Sequence, residues 1–295
     1  MDFSDNPSTP QVKDSLPKEH WRRNNGFSWQ IPCGETSFQF RCRIVEHGIT
    51  IAQKESDFNH PYPMFTRVFL FRKGGAEIIC RNQRRTLVEN RIYILPANMV
   101  FQIHYYPREL IYYHLCLNDG YDQPIFDREE SVQEIVSDPV RGQLLRAQRE
   151  KSEIFHHAAL LSLFAEFLPQ RQEQIFRNFR RHLEFSALFE YLDTHPLALV
   201  SLSDLAGLYG LSDSTFSKRF SRKMGISLKR FLLERQIRYA CELLLYSPKR
   251  VGEIAEILGY RDITYFYRFF RKQTGMTPQE FRKNKTMESR IEPLA

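Results

Sequence analysis

Residues 251–282 read VGEIAEILGYRDITYFYRFFRKQTGMTPQEFR, and the same pattern has already been written once upstream. Leu205-Ala206, Gly210, Phe216, Phe220, Gly225, Ser227 and Phe231 recur in order as Ile254-Ala255, Gly259, Phe266, Phe270, Gly275, Thr277 and Phe281. In each copy a short apolar segment meets a glycine, and then a segment with aromatics at i and i+4. That spacing turns one face of each helix into a core, and the small alanine lets the two helices approach closely. Gly210 and Gly259 suit the turn, because glycine takes positive φ without steric cost. Ser212 and Asp262 are expected to cap the second helix of each copy. The repeated unit is a helix-turn-helix.

Between the copies, Leu228 to Leu245 contains neither Gly nor Pro and carries Leu228, Phe231, Leu232, Ile237, Cys241, Leu244 and Leu245. A continuous helix of that length spans roughly 27 Å. It would hold the two motifs about one duplex turn apart, since successive major grooves on one face of B-DNA are separated by roughly 34 Å. Thr277-Pro278-Gln279-Glu280 then supplies a cap, a proline at the first helical position and a reciprocating glutamate. Charge follows the same division. Residues 181–286 hold 18 Lys and Arg against 11 Asp and Glu, whereas residues 1–180 hold 23 against 22, so the twin-motif segment accounts for the formal net charge of +7. A surface that docks on phosphates has that character.

The Gly-aromatic, Phe-x-x-x-Phe and Gly-x-Thr-Pro combination resembles the signature of the AraC/XylS family of bacterial transcription regulators, over about a hundred residues from near Phe185 to Arg282. Gln236 departs from it, standing where the family usually has an arginine on the linking helix, and Gly252 departs by weakening the first turn of the second motif. The resemblance implies that double-stranded DNA is contacted in two successive major-groove segments. With Phe216 and Phe220 buried, the first recognition helix would present Asp213, Ser214, Ser217 and Lys218; with Phe266 and Phe270 buried, the second would present Ile263, Thr264, Tyr267 and Arg268. Base contact is expected from Ser214, Ser217, Lys218, Ile263, Thr264, Tyr267 and Arg268. Arg268 leads, because a guanidinium bridges guanine O6 and N7 with two hydrogen bonds. Arg222, Lys223, Arg271 and Lys272 lie a turn later, where phosphate contacts that set register are expected; for these four a solvated basic face is the competing reading.

The remainder of the 295 residues suffices for a second domain with its own core. Residues 1–25 are read as a polar, disordered tail without a signal peptide, 26–168 as a sensor and dimerisation domain, 169–178 as a linker, 179–286 as the DNA-binding domain and 287–295 as a tail. In residues 26–118, Phe38, Phe40, Cys42 and Ile44 alternate with Gln39, Arg41 and Arg43, the period of a half-buried strand. Short runs at 49–52, 67–72, 76–81, 91–95, 100–105 and 111–117, separated by turn residues, predict an antiparallel sandwich or barrel. Placed before such a DNA-binding module, it resembles the family's cupin-type sensor, giving an α+β multidomain chain with a cupin-like β-barrel or jelly roll and an all-α end. Residues 127–168 return to helical periodicity; those helices either dimerise, as the resemblance implies, or pack on their own barrel. The chain is expected in the bacterial cytoplasm, on the nucleoid, and without a membrane span, since its most apolar stretch, Phe155 to Leu168, is too short.

Chemistry-bearing residues in the β-region are sparse. Five cysteines, at 33, 42, 80, 116 and 241, are scattered and never form a C-x-x-C pair, so neither a zinc site nor a disulfide is expected. His60, His104 and His114 lack the H-x-H pair by which cupin enzymes hold a metal, so no metal, cofactor or catalytic residue is expected. Arg67, Tyr93, His104, Tyr112 and His114 fall on strands and are the candidates for a polar effector, each weighed against a core or surface role. By analogy with the family a carbohydrate is favoured. The leading reading is a DNA-binding regulator controlled by that effector, acting as a homodimer, and through RNA polymerase if it activates. Two others stand beside it: a cupin-type enzyme with a DNA-targeting module, and a regulator whose N-terminal domain only dimerises.

Overall fold

The computed structural model describes residues 26–33, 36–60, 65–80, 82–97, 99, 101–126, 132–150, 152–195 and 200–283. The tails expected at 1–25 and 287–295 lie outside the described residues. The first half of the chain builds strands β1 (Gly26–Cys33), β2 (Thr36–Ala52), β3 (Ser56–His60), β4 (Thr66–Lys73), β5 (Ala76–Cys80), β6 (Gln83–Leu87), β7 (Ile92–Leu95), β8 (Phe101–Tyr105), β9 (Arg108–Asp119) and β10 (Gln133–Ile135). They pair antiparallel in two curled sheets, one in the order β1-β2-β9-β4-β7-β10 and the other β3-β8-β5-β6.

The alternation in Phe38–Arg43 is realised as expected, with Phe38, Phe40 and Cys42 buried on the outer face of the larger sheet. What reads as two strands, at 38–44 and 49–52, is one strand with a bulge between Ile44 and Glu46 against β9. One extra residue on one strand reverses which face its side chains take. The bulge therefore re-aims Glu46 to the inner face, in register with His114. That inner face packs against the second sheet around Phe69, Tyr93, Phe101, Tyr105 and Tyr112.

Helices α1 (Asp138–Glu150) and α2 (Glu153–Phe167) cover the outer face, contributing Val140, Leu144, Leu160, Leu163, Phe164 and Phe167 to its core. The helical reading of 127–168 fails at its start: Gln133–Ile135 pairs with β7 as β10, and Val136 is 66% exposed. Local apolar spacing there is overridden by an open edge in the larger sheet. The linker expected at 169–178 is likewise replaced by structure. Pro169–Arg171 forms a 3-10 turn that runs into α3 (Gln172–Glu184). Ile175 joins the outer core of the β-domain, and Asn178 donates to the Ile125 carbonyl at 3.2 Å. Glutamine and arginine line the solvent side of this helix, and their density makes the segment read as a polar linker.

The remainder is helical: α4 (Ser186–Thr194), α5 (Leu202–Gly207), α6 (Asp213–Met224), α7 (Leu228–Tyr246), α8 (Val251–Ile257), α9 (Ile263–Thr274) and α10 (Pro278–Lys283). Two cores form here. The first collects Phe185, Leu188, Phe189, Leu205, Ala206, Phe216, Phe220 and Phe231. The second collects Ile237, Cys241, Leu244, Ile254, Ala255, Leu258, Phe266 and Phe270. Helix α7 gives its first half to one core and its second half to the other, so a single rigid element fixes their separation.

Candidate nucleic-acid interface and effector site

In each motif the turn is closed by one equivalent bond: the Leu211 amide donates to Ala206 at 3.1 Å, and the Tyr260 amide donates to Ala255 at 2.8 Å. Gly210 and Gly259 take φ of 61° and 83°, a conformation an L side chain adopts only under strain. Recognition helices α6 and α9 begin at Ser212, which accepts from the Thr215 amide, and at Asp262, which accepts from the Thr264 amide at 2.8 Å. Both end at a left-handed glycine, Gly225 and Gly275.

Burial along the two helices matches position for position from Asp213 to Phe220 and from Ile263 to Phe270. Ser214, Lys218, Arg222, Thr264, Arg268, Arg271 and Lys272 are exposed. So is Ile263, at 44%. Ser217 and Tyr267 are half-buried, and Tyr267 packs against the second core. Lys223 is drawn sideways: with Arg219 it clasps Glu184 of α3, at 3.0 Å from its ammonium. The aromatic periodicity conceals one further exposed side chain. Tyr265, in the first turn of α9, is 67% exposed, and its position off the Phe266–Phe270 row is the only signal for it in the sequence.

Gln236 has a local partner, donating to the Leu258 carbonyl at the end of α8 at 3.3 Å. It thereby ties the linking helix to the second motif. Arg282 of α10 reaches back to the Leu244 carbonyl at 3.1 Å and the Lys249 carbonyl at 2.7 Å. The reciprocal Thr277–Glu280 cap starts α10, with the Glu280 amide donating to the Thr277 hydroxyl at 3.2 Å and the Thr277 amide to the Glu280 carboxylate at 2.8 Å.

In the β-domain three of the five effector candidates converge. Arg67, His114 and Glu46 occupy one row across β4, β9 and β2. His114 Nδ1 lies 3.3 Å from the Glu46 carboxylate, to which the Tyr112 hydroxyl also donates at 3.0 Å. Gly48 stands opposite Tyr112, where a Cβ would come within 3.1 Å of its hydroxyl, so the glycine makes room for the ring. Glu46 escapes the sequence reading because only the bulge turns it inward. Tyr93 lies in the inner core with its hydroxyl accepting from the Val88 amide at 2.9 Å. His104 faces outward between Asp57, at 2.8 Å, and Glu55, at 3.5 Å, and those carboxylates raise its pKa. Neither joins the cluster. The described residues contain no group of three or more His, Cys, Asp or Glu placed to hold a metal ion, and no helix long and apolar enough to cross a membrane.

The β-domain and the helices meet at the turn after β9. Asp119 accepts from the Tyr121 and Gln123 amides at 2.9 and 3.0 Å and pairs with His182 of α3. Tyr121 thereby packs against the first helical core. Arg238 of α7 donates to the Asp122 carbonyl at 3.2 Å. Beside it Glu242 is buried, and burial together with the nearby Asp122 pushes its carboxyl up to about 8, against the pull of Arg43, Arg238 and Arg235.

A family model described as "Helix-turn-helix domain" matches residues 205–284. The HTH-type transcriptional regulator ExsA of Pseudomonas aeruginosa is 35% identical over 129 residues, 43% of this chain and 45% of that protein. The bifunctional transcriptional activator/DNA repair enzyme AdaA of Bacillus subtilis is 30% identical over 99 residues, 34% of this chain and 47% of that protein. The matched part of this chain thus spans under half the length of these relatives. Among solved structures, unsaturated fatty acid-bound ToxT from Vibrio cholerae superposes with a TM-score of 0.53 at 13% identity, covering 80% of this chain and 94% of ToxT. At that identity the likeness is one of fold, and it extends over the β-domain as well as the helices.

Proposed function

We propose, from the premise that this chain belongs to the AraC/XylS family of transcription regulators, that it binds specific DNA sequences through both helix-turn-helix motifs and answers to a small molecule in its β-domain. The observation that carries this reading is the matched exposure of two capped recognition helices at the two ends of one continuous helix. Nineteen residues of α7 give a separation of about 28 Å, within reach of two successive major-groove segments. In this reading Ser214, Lys218, Ile263, Thr264 and Arg268 face base edges, with Ser217 and Tyr267 contributing from half-buried positions. Arg222, Arg271 and Lys272 bind phosphates. Lys223 contributes less to phosphate binding, because Glu184 already holds it.

The effector site in this reading is the inward cluster of Glu46, Arg67, Tyr112 and His114. A carbohydrate suits it, since a carboxylate, a phenol and an imidazole offer the mixed donors and acceptors that hydroxyl groups need. A second reading, an acidic effector held by Arg67, is favoured by the similar fold of ToxT with its bound unsaturated fatty acid. The relatives named as regulators support a sensor over an enzyme at this site. Selection of duplexes from a random library by the full chain tests DNA recognition; enrichment of a sequence with two half-elements is expected, and no enrichment contradicts it. A thermal-shift screen of the full chain against sugars and fatty acids separates the two effector classes, because a ligand that binds only the folded state raises apparent stability.

A further inference from the structure

Helix α3 buries Ile175, Asn178 and His182 and turns Glu173, Arg177, Arg180 and Glu184 the opposite way, at i, i+4, i+7 and i+11. Arg177 and Arg180 are exposed. The last member of this row is the carboxylate clasped by the recognition helix, with Arg219 Nε at 3.0 Å and Lys223 Nζ at 3.0 Å from Glu184. The outward row of α3 therefore runs into the flank of α6. On the outer side of α6 the exposed Lys218 and Arg222 continue it. Glu184 is already matched by two cations of α6, and the exposed cations of α3 are Arg177 and Arg180.

A helix with its side chains is about 10–12 Å across and a major groove is about 12 Å wide, so whatever flanks an inserted helix meets phosphates. Arg180 lies about one turn and Arg177 about two turns from Glu184, each turn being about 5.4 Å. We propose that Arg177 and Arg180 bind the DNA backbone beside the first recognition helix, so that the DNA contact extends onto a helix packed against the β-domain. The proposal rests on the DNA-binding reading above, and its partner is duplex phosphate of any sequence.

The test uses the full chain and a duplex it selects from a random library, with a scrambled duplex of equal length, titrated across a range of salt. Each phosphate contact contributes about 0.9 to the slope of log affinity against log salt concentration. Arg177→Gln/Arg180→Gln should lower that slope by about two on both duplexes and leave their affinity ratio unchanged. Arg177→Lys/Arg180→Lys, which keeps the charges, should restore it, which excludes a folding defect as the cause. An unchanged slope in the glutamine variant, or a slope that stays low in the lysine variant, overturns the proposal. A wild-type chain that enriches no duplex overturns the DNA-binding reading itself, an outcome distinct from enrichment with an unchanged slope.

Discussion

Arg268 and Lys272 lie on the same exposed side of α9, one turn apart, and they are expected to do different work. A bidentate base contact contributes about 1–3 kcal/mol of discrimination at one position, whereas a lost phosphate contact weakens every sequence alike. Arg268→Ala should therefore collapse the ratio of specific to non-specific affinity, while Lys272→Ala leaves the ratio intact and lowers the salt slope by about one; titrations on selected and scrambled duplexes read both quantities. Glu242 gives a second residue-scale test. Its folded pKa, about 8, lies above the unfolded value. Its protonated form is thus favoured by folding: the stabilisation is full below the usual carboxylate range and is lost as pH rises toward 8. The melting temperature of the wild type should fall between pH 6 and pH 9 more than that of Glu242→Gln. Parallel curves for the two proteins would refute the assignment.

At the scale of elements, the sequence carried most where the chain speaks locally. Phe216, Phe220, Phe266 and Phe270, the two turn glycines and the Thr277–Glu280 cap each rest on neighbours within a few positions, and each is found where its spacing places it. Reading becomes difficult where long-range pairing decides. Gln83–Leu87 is strand because Ala76–Cys80 offers it an edge, and Gln133–Ile135 leaves its helical spacing because β7 offers another. The bulge after Ile44 leaves no trace in alternation until Glu46 is seen facing His114, so the site lost its carboxylate in the sequence reading. Helix α3 shows the same limit: a stretch rich in glutamine and arginine is held by Ile175 beneath it and by the Asp119–His182 pair. From that packing, a fragment ending at residue 170 should melt well below one ending at residue 184, since Ile175 and the half-buried Phe176 and Phe179 complete the outer core. Equal melting temperatures for the two fragments would show α3 to be a passive connector.

In the molecule as a whole, the turn Asp119–Gln123 joins the β-domain to the first helical core, and helix α7 joins the two helical cores to each other. The strand that carries Tyr112 and His114 is the one that ends in that turn, where Tyr121 enters the first helical core and Arg238 grips the Asp122 carbonyl. An effector with different affinity for two arrangements of this turn would shift the placement of both motifs. On the other side of the β-domain, α2 buries one face and leaves Ile154, Ala158, Leu161 and Ala165 as an exposed apolar row. The expected homodimer would use it, presenting two DNA-binding modules to repeated half-sites with a gain in avidity. Sedimentation of the full chain at tens of micromolar should then show a dimer that Leu161→Glu dissociates; a wild-type monomer at that concentration would remove this element of the account.

With α7 holding them apart, both motifs are expected to enter DNA at once. Hydroxyl-radical footprinting of the full chain on its selected duplex, with guanine N7 methylation protection alongside, reads this directly. Two protected major-groove segments are expected on one face of the duplex, roughly 10 base pairs apart centre to centre, with loss of the methylation protection in one of them alone in Arg268→Ala. A single protected segment, or protection spread evenly along the duplex, would contradict it.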